Sequence, residues 1–434
     1  MSKLNKKVKL VVVDDILIDM DAQVDLVKNF SELSINLTNT ISNDIIKKEG
    51  IYFTPNSIIQ NNINIIKHFC EQNNIIIQEV LEPSCGSCEY INILDKHFSG
   101  INIMGIELNT QIFSSISNLV FNNDVSLINH DFLTINITKK FDLIIGNPPY
   151  FVINKANILK KYKQYFDGRP NIYIIFILKC LELLNDNGIL SFILPLNFIN
   201  CLYYNKIRQH IYNNYKILNI INCSDDDFLE TKQETIIFMI QKIADIEENN
   251  KFTLQINDYI IFNTHDKIIQ LHNLYANSTS LNALGFNVNV GTIVWNQCKD
   301  ILTDNDNDTQ LIYSSDILNQ TLVKKKYKDI SKKKYIKKKG NTNPLLVINR
   351  GYGKGKYKLD YCLININREY LIENHLICIN YESHTNADNL LDMYEKIMLS
   401  LNNKKTLDFI NLYFGNNAIN CTEMRNILPI YWNV

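Results

Sequence analysis

The residues best equipped for chemistry in this 434-residue chain are Asn147-Pro148-Pro149-Tyr150, directly after the apolar run Phe141–Ile145. Two prolines remove two backbone donors and stiffen the turn. The Pro148 carbonyl is left as an acceptor beside the Asn147 side-chain oxygen, and two acceptors aimed at one point suit an amino group with two hydrogens. Tyr150 adds a flat face for a planar heterocycle. Three polar signals precede this one. In Glu82-Pro83-Ser84-Cys85-Gly86-Ser87, a glycine turn lets backbone approach a ligand, and the helix that follows favours a carboxylate or phosphate at its N-terminus. Glu107, 25 residues later, can accept from ribose hydroxyls or simply cap a helix. Asp131-Phe132 offers an acceptor for an exocyclic amine and a ring to stack, or a loop acid beside a core ring.

Cys85-x-x-Cys88 also spells a zinc or redox pair. Zinc needs two further ligands, and the sequence has no second C-x-x-C and no H-x-x-x-H, so no metal is expected.

These signals need elements to position them. The pattern predicts a helix over Ser57–Gln72, a strand over Ile75–Leu81 and a helix from Cys88 to His97. A strand over Ile101–Ile106 and a helix near Thr110–Val120 follow, then strands over Val125–Asn129 and Phe141–Ile145. Further on, a helix over Ile172–Leu184 is separated by Gly188 from a strand over Ile189–Leu194. A helix over Leu202–Asn213 and strands over Lys216–Asn222 and Thr235–Gln241 complete the run. Such alternation implies an α/β domain with a mostly parallel, doubly wound sheet, and ligands bind such sheets beyond the carboxyl ends of the strands. All four polar signals fall at strand ends. The rhythm is lost after about residue 245. The expected division is an N-terminal extension, 1–50, a catalytic domain, 51–245, and an irregular α+β domain, 246–434, with a helix near Ala387–Leu401.

The formal net charge of −1 hides an uneven distribution. Residues 324–358 hold 14 Lys and Arg against one acid, Asp329, which leaves the remaining chain at −14. Lys324, Lys325, Lys326, Lys332, Lys333, Lys334, Lys337, Lys338, Lys339 and Arg350 interleave with Tyr327 and Tyr335, a pattern that suits phosphate contact. A solvated lysine loop or a nuclear-targeting run is the plainer reading. No window approaches 18 uncharged apolar residues and no secretory signal is present. The expectation is therefore an intracellular protein without a membrane span, its ten cysteines reduced.

Taken together, residues 50–242 resemble the S-adenosylmethionine-dependent adenine-N6 methyltransferases of DNA. The arrangement is the gamma one, catalytic domain first and target-recognition domain second, as in viral and bacterial type II restriction-modification enzymes. The resemblance implies a Rossmann-like methyltransferase sheet. It implies that Phe53, Thr54 and Pro55 lie against the methionine end of S-adenosylmethionine. Glu82, Pro83, Cys85 and Gly86 would form the cofactor turn, in which Cys88 replaces the usual last glycine and crowds the turn. Glu107 matches the ribose acid, Asp131 and Phe132 the adenine contacts, and Asn147, Pro148, Pro149 and Tyr150 the catalytic loop. Phe228, seven residues before Thr235, matches the ring that stacks on the far face of the target base, opposite Tyr150. Gly285–Asp300 is similar to recognition-domain stretches of enzymes some of which read four-base palindromes, CATG among them. The implied partners are double-stranded DNA and, as in restriction-modification pairs, a cognate endonuclease; a viral member would work in host cytoplasm or nucleus. The alternatives are a methyltransferase for RNA adenine or protein glutamine, both of which also use Asn-Pro-Pro-Tyr, and a DNA-binding protein with weakened catalysis.

Overall fold

A computed structural model describes residues 10–13, 16–19, 29–223, 233–244, 251–323, 325–350, 359–381, 387–414 and 419–432. Phe228 and Lys324 lie outside the described residues. The chain forms two units. One holds residues up to Thr253 together with Ile260–His265; the other holds Leu254–Tyr259 and Asp266–Val434.

The first unit is built on seven strands: β1 (Glu79–Glu82), β2 (Asn102–Glu107), β3 (Asp124–Asn129), β4 (Phe141–Gly146), β5 (Leu184–Pro195), β6 (Lys216–Asn222) and β7 (Thr235–Gln241). They lie in the order β3-β2-β1-β4-β5-β7-β6. β1 to β5 pair in parallel, and β7 runs antiparallel to both β5 and β6. Side chains alternate across a strand, so each strand feeds two cores. In β7, Ile236, Phe238 and Ile240 face one core and Ile237 and Met239 the other. The first core is covered by α6 (Ile172–Leu183), whose nine buried residues leave almost no polar face. The second is covered by α3 (Asn56–Asn73), which presents Ile58, Ile59, Ile63, Ile66 and Cys70 at helical spacing, by α4 (Glu89–His97) and, through Ile116, by α5 (Thr110–Ile116). This is a doubly wound Rossmann-like sheet. Its order reverses between β1 and β4, where a ligand crevice opens.

Two local expectations change. Gly188 does not separate α6 from the next strand. Strand β5 starts at Leu184, and the register jumps from Phe141↔Leu184 to Leu143↔Ile189. Asn187, with φ of 65°, turns the intervening residues out as a bulge inside the strand. The first fifty residues are not wholly an appendage either. Helices α1 (Glu32–Thr40) and α2 (Asn43–Glu49) pack Leu37 and Ile46 with Phe53 and Ile112.

The second unit is α+β. One antiparallel sheet runs Phe286–Val290, Leu376–Tyr381, Leu345–Asn349, Tyr361–Ile364. Another runs Leu302–Thr303, Tyr335–Ile336, Thr309–Ile312, Tyr370–Ile372. Helices Ala387–Asn402, Lys404–Tyr413 and Cys421–Asn426 complete it. Among the described residues no helix is long and apolar enough to cross a membrane.

Candidate active site

A cavity of about 340 Å³ opens at the carboxyl ends of β1, β2 and β4. Phe53, Pro83, Gly86, Glu107, Asp131, Phe132, Asn147 and Pro149 all line it, so the four signals converge. Thr54, Pro55, Glu82, Cys85, Pro148 and Tyr150 are not among its lining residues. Its apolar lining includes Ile112, Phe132, Phe151, Ile172 and Phe176.

Glu107 is buried, and its two carboxylate oxygens accept from the Asn109 and Gly86 N–H groups at 2.7 and 2.9 Å. Burial raises its pKa above the ordinary glutamate value, and those two N–H donors oppose the rise. Glu82, also buried, is pushed up further: desolvation leads, and Cys88, Glu107 and Glu89 add repulsion. Its Oε2 has no hydrogen-bond partner among the described residues. Asp131 Oδ1 accepts from the Leu133 N–H at 2.8 Å, which fixes the turn that carries Phe132.

The Asn147 amide is oriented from its nitrogen side. Nδ2 donates to the Tyr52 carbonyl at 3.2 Å and to Thr54 Oγ1 at 3.1 Å. The Tyr150 hydroxyl lies 2.6 Å from Asn147 Oδ1 and 2.7 Å from the Ile193 carbonyl. One proton serves two acceptors, so Oδ1 is not the free acceptor the sequence implies, although it keeps a second lone pair. The Tyr150 ring meets Tyr173 edge-on, with centroids 5.8 Å apart.

Cys88 does not line the cavity. Its side chain is buried in the core beneath α4, and the substitution acts on the backbone instead. Cys88 sits at φ 63°, a left-handed conformation that costs a non-glycine residue roughly 1–2 kcal/mol.

Sequence reasoning missed Lys48, Glu49 and Gly50, which line the same cavity. Gly50 ends α2 at φ 66°, and a Cβ there would stand 3.0 Å from the Tyr150 nitrogen and 3.1 Å from Pro149 Cβ. Ser34 anchors α1 beside the turn after β1 through Ser87 Oγ at 2.8 Å and Glu89 Oε1 at 2.5 Å. The available signal was Ser42 followed by a short helix and Gly50, a capped helix just ahead of Phe53.

Residues 29–228 match the family described as Eco57I restriction-modification methylase. The chain carries a restriction-modification methylase domain. The match begins at residue 29 and so includes α1 and α2. The methylase chain is 28% identical over 412 residues to modification methylase CviBIII of Paramecium bursaria Chlorella virus NC1A, covering 93% of this chain and 100% of that one. It is 26% identical over 406 residues to type II methyltransferase M.CvrRI of Paramecium bursaria Chlorella virus XZ-6E, with the same coverage. Among solved structures, the DrdV–DNA complex is 12% identical with a TM-score of 0.48, covering 89% of this chain and 57% of that one.

In the second unit the basic strip divides. Lys325, Lys326, Lys337, Lys338 and Lys339 are exposed, and Arg350 is half-buried. Lys332 is not directed outward: its Nζ lies 3.9 Å from the Tyr313 ring centroid, 5.0 Å from that of Tyr327 and 5.8 Å from that of Trp295. Desolvation lowers its pKa, opposed by Glu373, Asp316 and Asp329. Lys333 pairs with Asp304 at 2.6 Å, and the Lys334 carbonyl accepts from the Leu311 N–H. The Lys332 and Lys333 side chains are engaged within their own unit, and Lys334 is held there through its backbone.

Proposed function

We propose that this chain is a type II DNA modification methyltransferase that methylates N6 of an adenine extruded from duplex DNA. S-adenosylmethionine is the donor, and when bound it supplies an electrophilic methyl group. The cavity suits that group in size, with apolar walls for a planar base and carboxylates at separate strand ends. The unpartnered Glu82 Oε2 and the buried Glu107 are acceptors for polar ligand groups. In this reading Glu107 takes the ribose hydroxyls, Asp131 and Phe132 hold the adenine ring, and Phe53, Thr54 and Pro55 border the methionine end.

The observation that carries the reading is the held amide of Asn147. With Nδ2 engaged by Tyr52 and Thr54, the second lone pair of Oδ1, beside the Tyr150 hydroxyl, stays available as an acceptor, and the Pro148 carbonyl precedes a proline that brings no N–H. Both accept from an exocyclic amine and draw its nitrogen towards tetrahedral geometry. A base inside the duplex cannot reach them, so the target leaves the stack. Tyr150 receives one face of it, and Phe228, on the family resemblance, the other. Positioning supplies most of the acceleration. No strong base is required, because the methylated amine is cationic and sheds its proton afterwards.

Residues 246–434 serve as the recognition half, with Lys325, Lys326, Lys337, Lys338, Lys339 and Arg350 at phosphates. A cognate restriction endonuclease is the natural partner of such an activity. The test is transfer of tritiated methyl to duplex DNA, structured RNA and a release-factor peptide, followed by mapping of the modified base. Label in DNA N6-methyladenine is the expected result; label in cytosine, RNA or glutamine overturns the assignment.

A further inference from the structure

The acidic body of the chain has one conspicuous exception outside the lysine strip. Immediately after Asn147-Pro148-Pro149-Tyr150, residues 151–171 carry Lys155, Lys160, Lys161, Lys163 and Arg169 against a single acid, Asp167. The segment is a closed loop. Val152 bridges Asn171, the Ile153 N–H donates to the Pro170 carbonyl, and the Ile172 N–H to the Phe151 carbonyl. Two 3-10 turns, Lys155–Asn157 and Lys160–Tyr165, shape it. Ile158, Tyr162 and Phe166 sink into the main core at 4%, 3% and 8% exposure and fix the loop's inner side. The cations stand on the outer side. Asp167 is taken by Lys206 at 2.5 Å, and Lys161 by Glu182 at 2.6 Å. Lys155, Lys160, Lys163 and Arg169 are exposed and make no ion pair among the described residues. Exposed Val152 and Leu159 lie among them.

A solvated charged loop needs no such construction. Buried anchors that hold four unpaired cations beside the reaction centre match a polyanion of fixed geometry. We propose that the loop Val152–Asn171 clamps the phosphates of the target strand next to the extruded nucleotide. This rests on the reading of the chain as a DNA methyltransferase. The recognition half then finds the site, while the clamp holds the flipped strand in register with Asn147.

The experiment uses the full chain and the variant K155Q/K160Q/K163Q, with duplex DNA carrying either ordinary linkages or neutral methylphosphonates flanking the target base. Wild-type protein should bind and label duplex DNA. The variant should lower the slope of log affinity against log salt by up to about 0.9 for each phosphate that is no longer neutralised. It should also be indifferent to methylphosphonates that weaken the wild type. Titration with S-adenosylhomocysteine should match wild type, which shows that the variant is folded. An unchanged slope, or losses from substitution and methylphosphonate that add independently, overturns the clamp while wild-type labelling leaves the methyltransferase reading standing. A wild type that neither binds nor labels duplex DNA overturns that reading itself.

Discussion

Asn147 has its amide nitrogen tied to Tyr52 and Thr54 and its oxygen beside the Tyr150 hydroxyl, so truncating it removes an oriented acceptor without opening a core cavity. Asn147→Ala should slow methyl transfer by roughly 2–4 kcal/mol of barrier, as for loss of one preorganised polar group. Affinity for S-adenosylhomocysteine should change little; a rapid-quench assay alongside calorimetry separates the two effects. Glu82 gives a pH prediction. Its folded pKa is raised well above the free value, so the folded chain binds more protons than the unfolded one. That contribution to stability is fully present below the unfolded pKa and is lost as pH rises through the folded one, at up to about 1.4 kcal/mol per pH unit. Glu82→Gln keeps the shape and cannot ionise, so its urea-unfolding midpoint should fall less steeply than wild type from about pH 4 upward. Parallel pH profiles would show that Glu82 does not carry the proton.

The short helix α2 ends against the Asn147–Tyr150 loop, and Gly50 is the point of contact. Gly50→Ala places a Cβ 3.0 Å from the Tyr150 nitrogen in a left-handed conformation. Roughly 1–2 kcal/mol of stability should be lost, with single-turnover rate falling more than cofactor affinity. In the second unit, Lys332 pins the lysine segment to Tyr313, Tyr327 and Trp295. Lys332→Gln should destabilise that unit by roughly 0.5–2 kcal/mol and leave the salt dependence of DNA binding almost intact. Lys337, Lys338 and Lys339 replaced by Gln should do the reverse. Salt titration and thermal unfolding of both variants check this. The sequence made the strands and their ligand-bearing ends legible, because alternation and turn residues act over a few positions. It did not reveal α2, whose importance is a tertiary contact, or the loop after Tyr150, whose cations are interleaved with Ile158, Tyr162 and Phe166. Lys332 was misread for the same reason: a lysine run is uniform in sequence, and the burial of one member depends on rings that lie mostly outside the run.

At the scale of the whole chain, the passage from the first unit to the second is not a single cut. Ile260–His265 returns to the first unit. The Ile260 carbonyl accepts from Arg208 Nε at 2.6 Å, and Phe262 stacks on Phe238 with rings 5.7 Å apart. Loss of strand–helix rhythm suggests a boundary near residue 245, whereas the first unit continues to Thr253, and composition carries no sign of a segment that folds back. A fragment spanning 29–265 should therefore bind S-adenosylhomocysteine. One spanning 29–244 should be less stable by at least about 1–3 kcal/mol, the usual cost of stripping a partner from a buried polar group; urea titration of the two fragments decides. The position of β7 carries a consequence for how the protein is made. It is the last of the seven strands in sequence, yet it sits between β5 and β6. On the ribosome, β1 to β4 and their crevice can assemble once β5 has emerged, whereas β6 waits without a neighbour until residue 241 has left the tunnel. For that interval the nascent chain presents the open edge of β5, a template for wrong pairing. A pause in translation between Asn222 and Thr235 would prolong the hazard, and synonymous codons there should affect the yield of folded protein more than those upstream of Leu184.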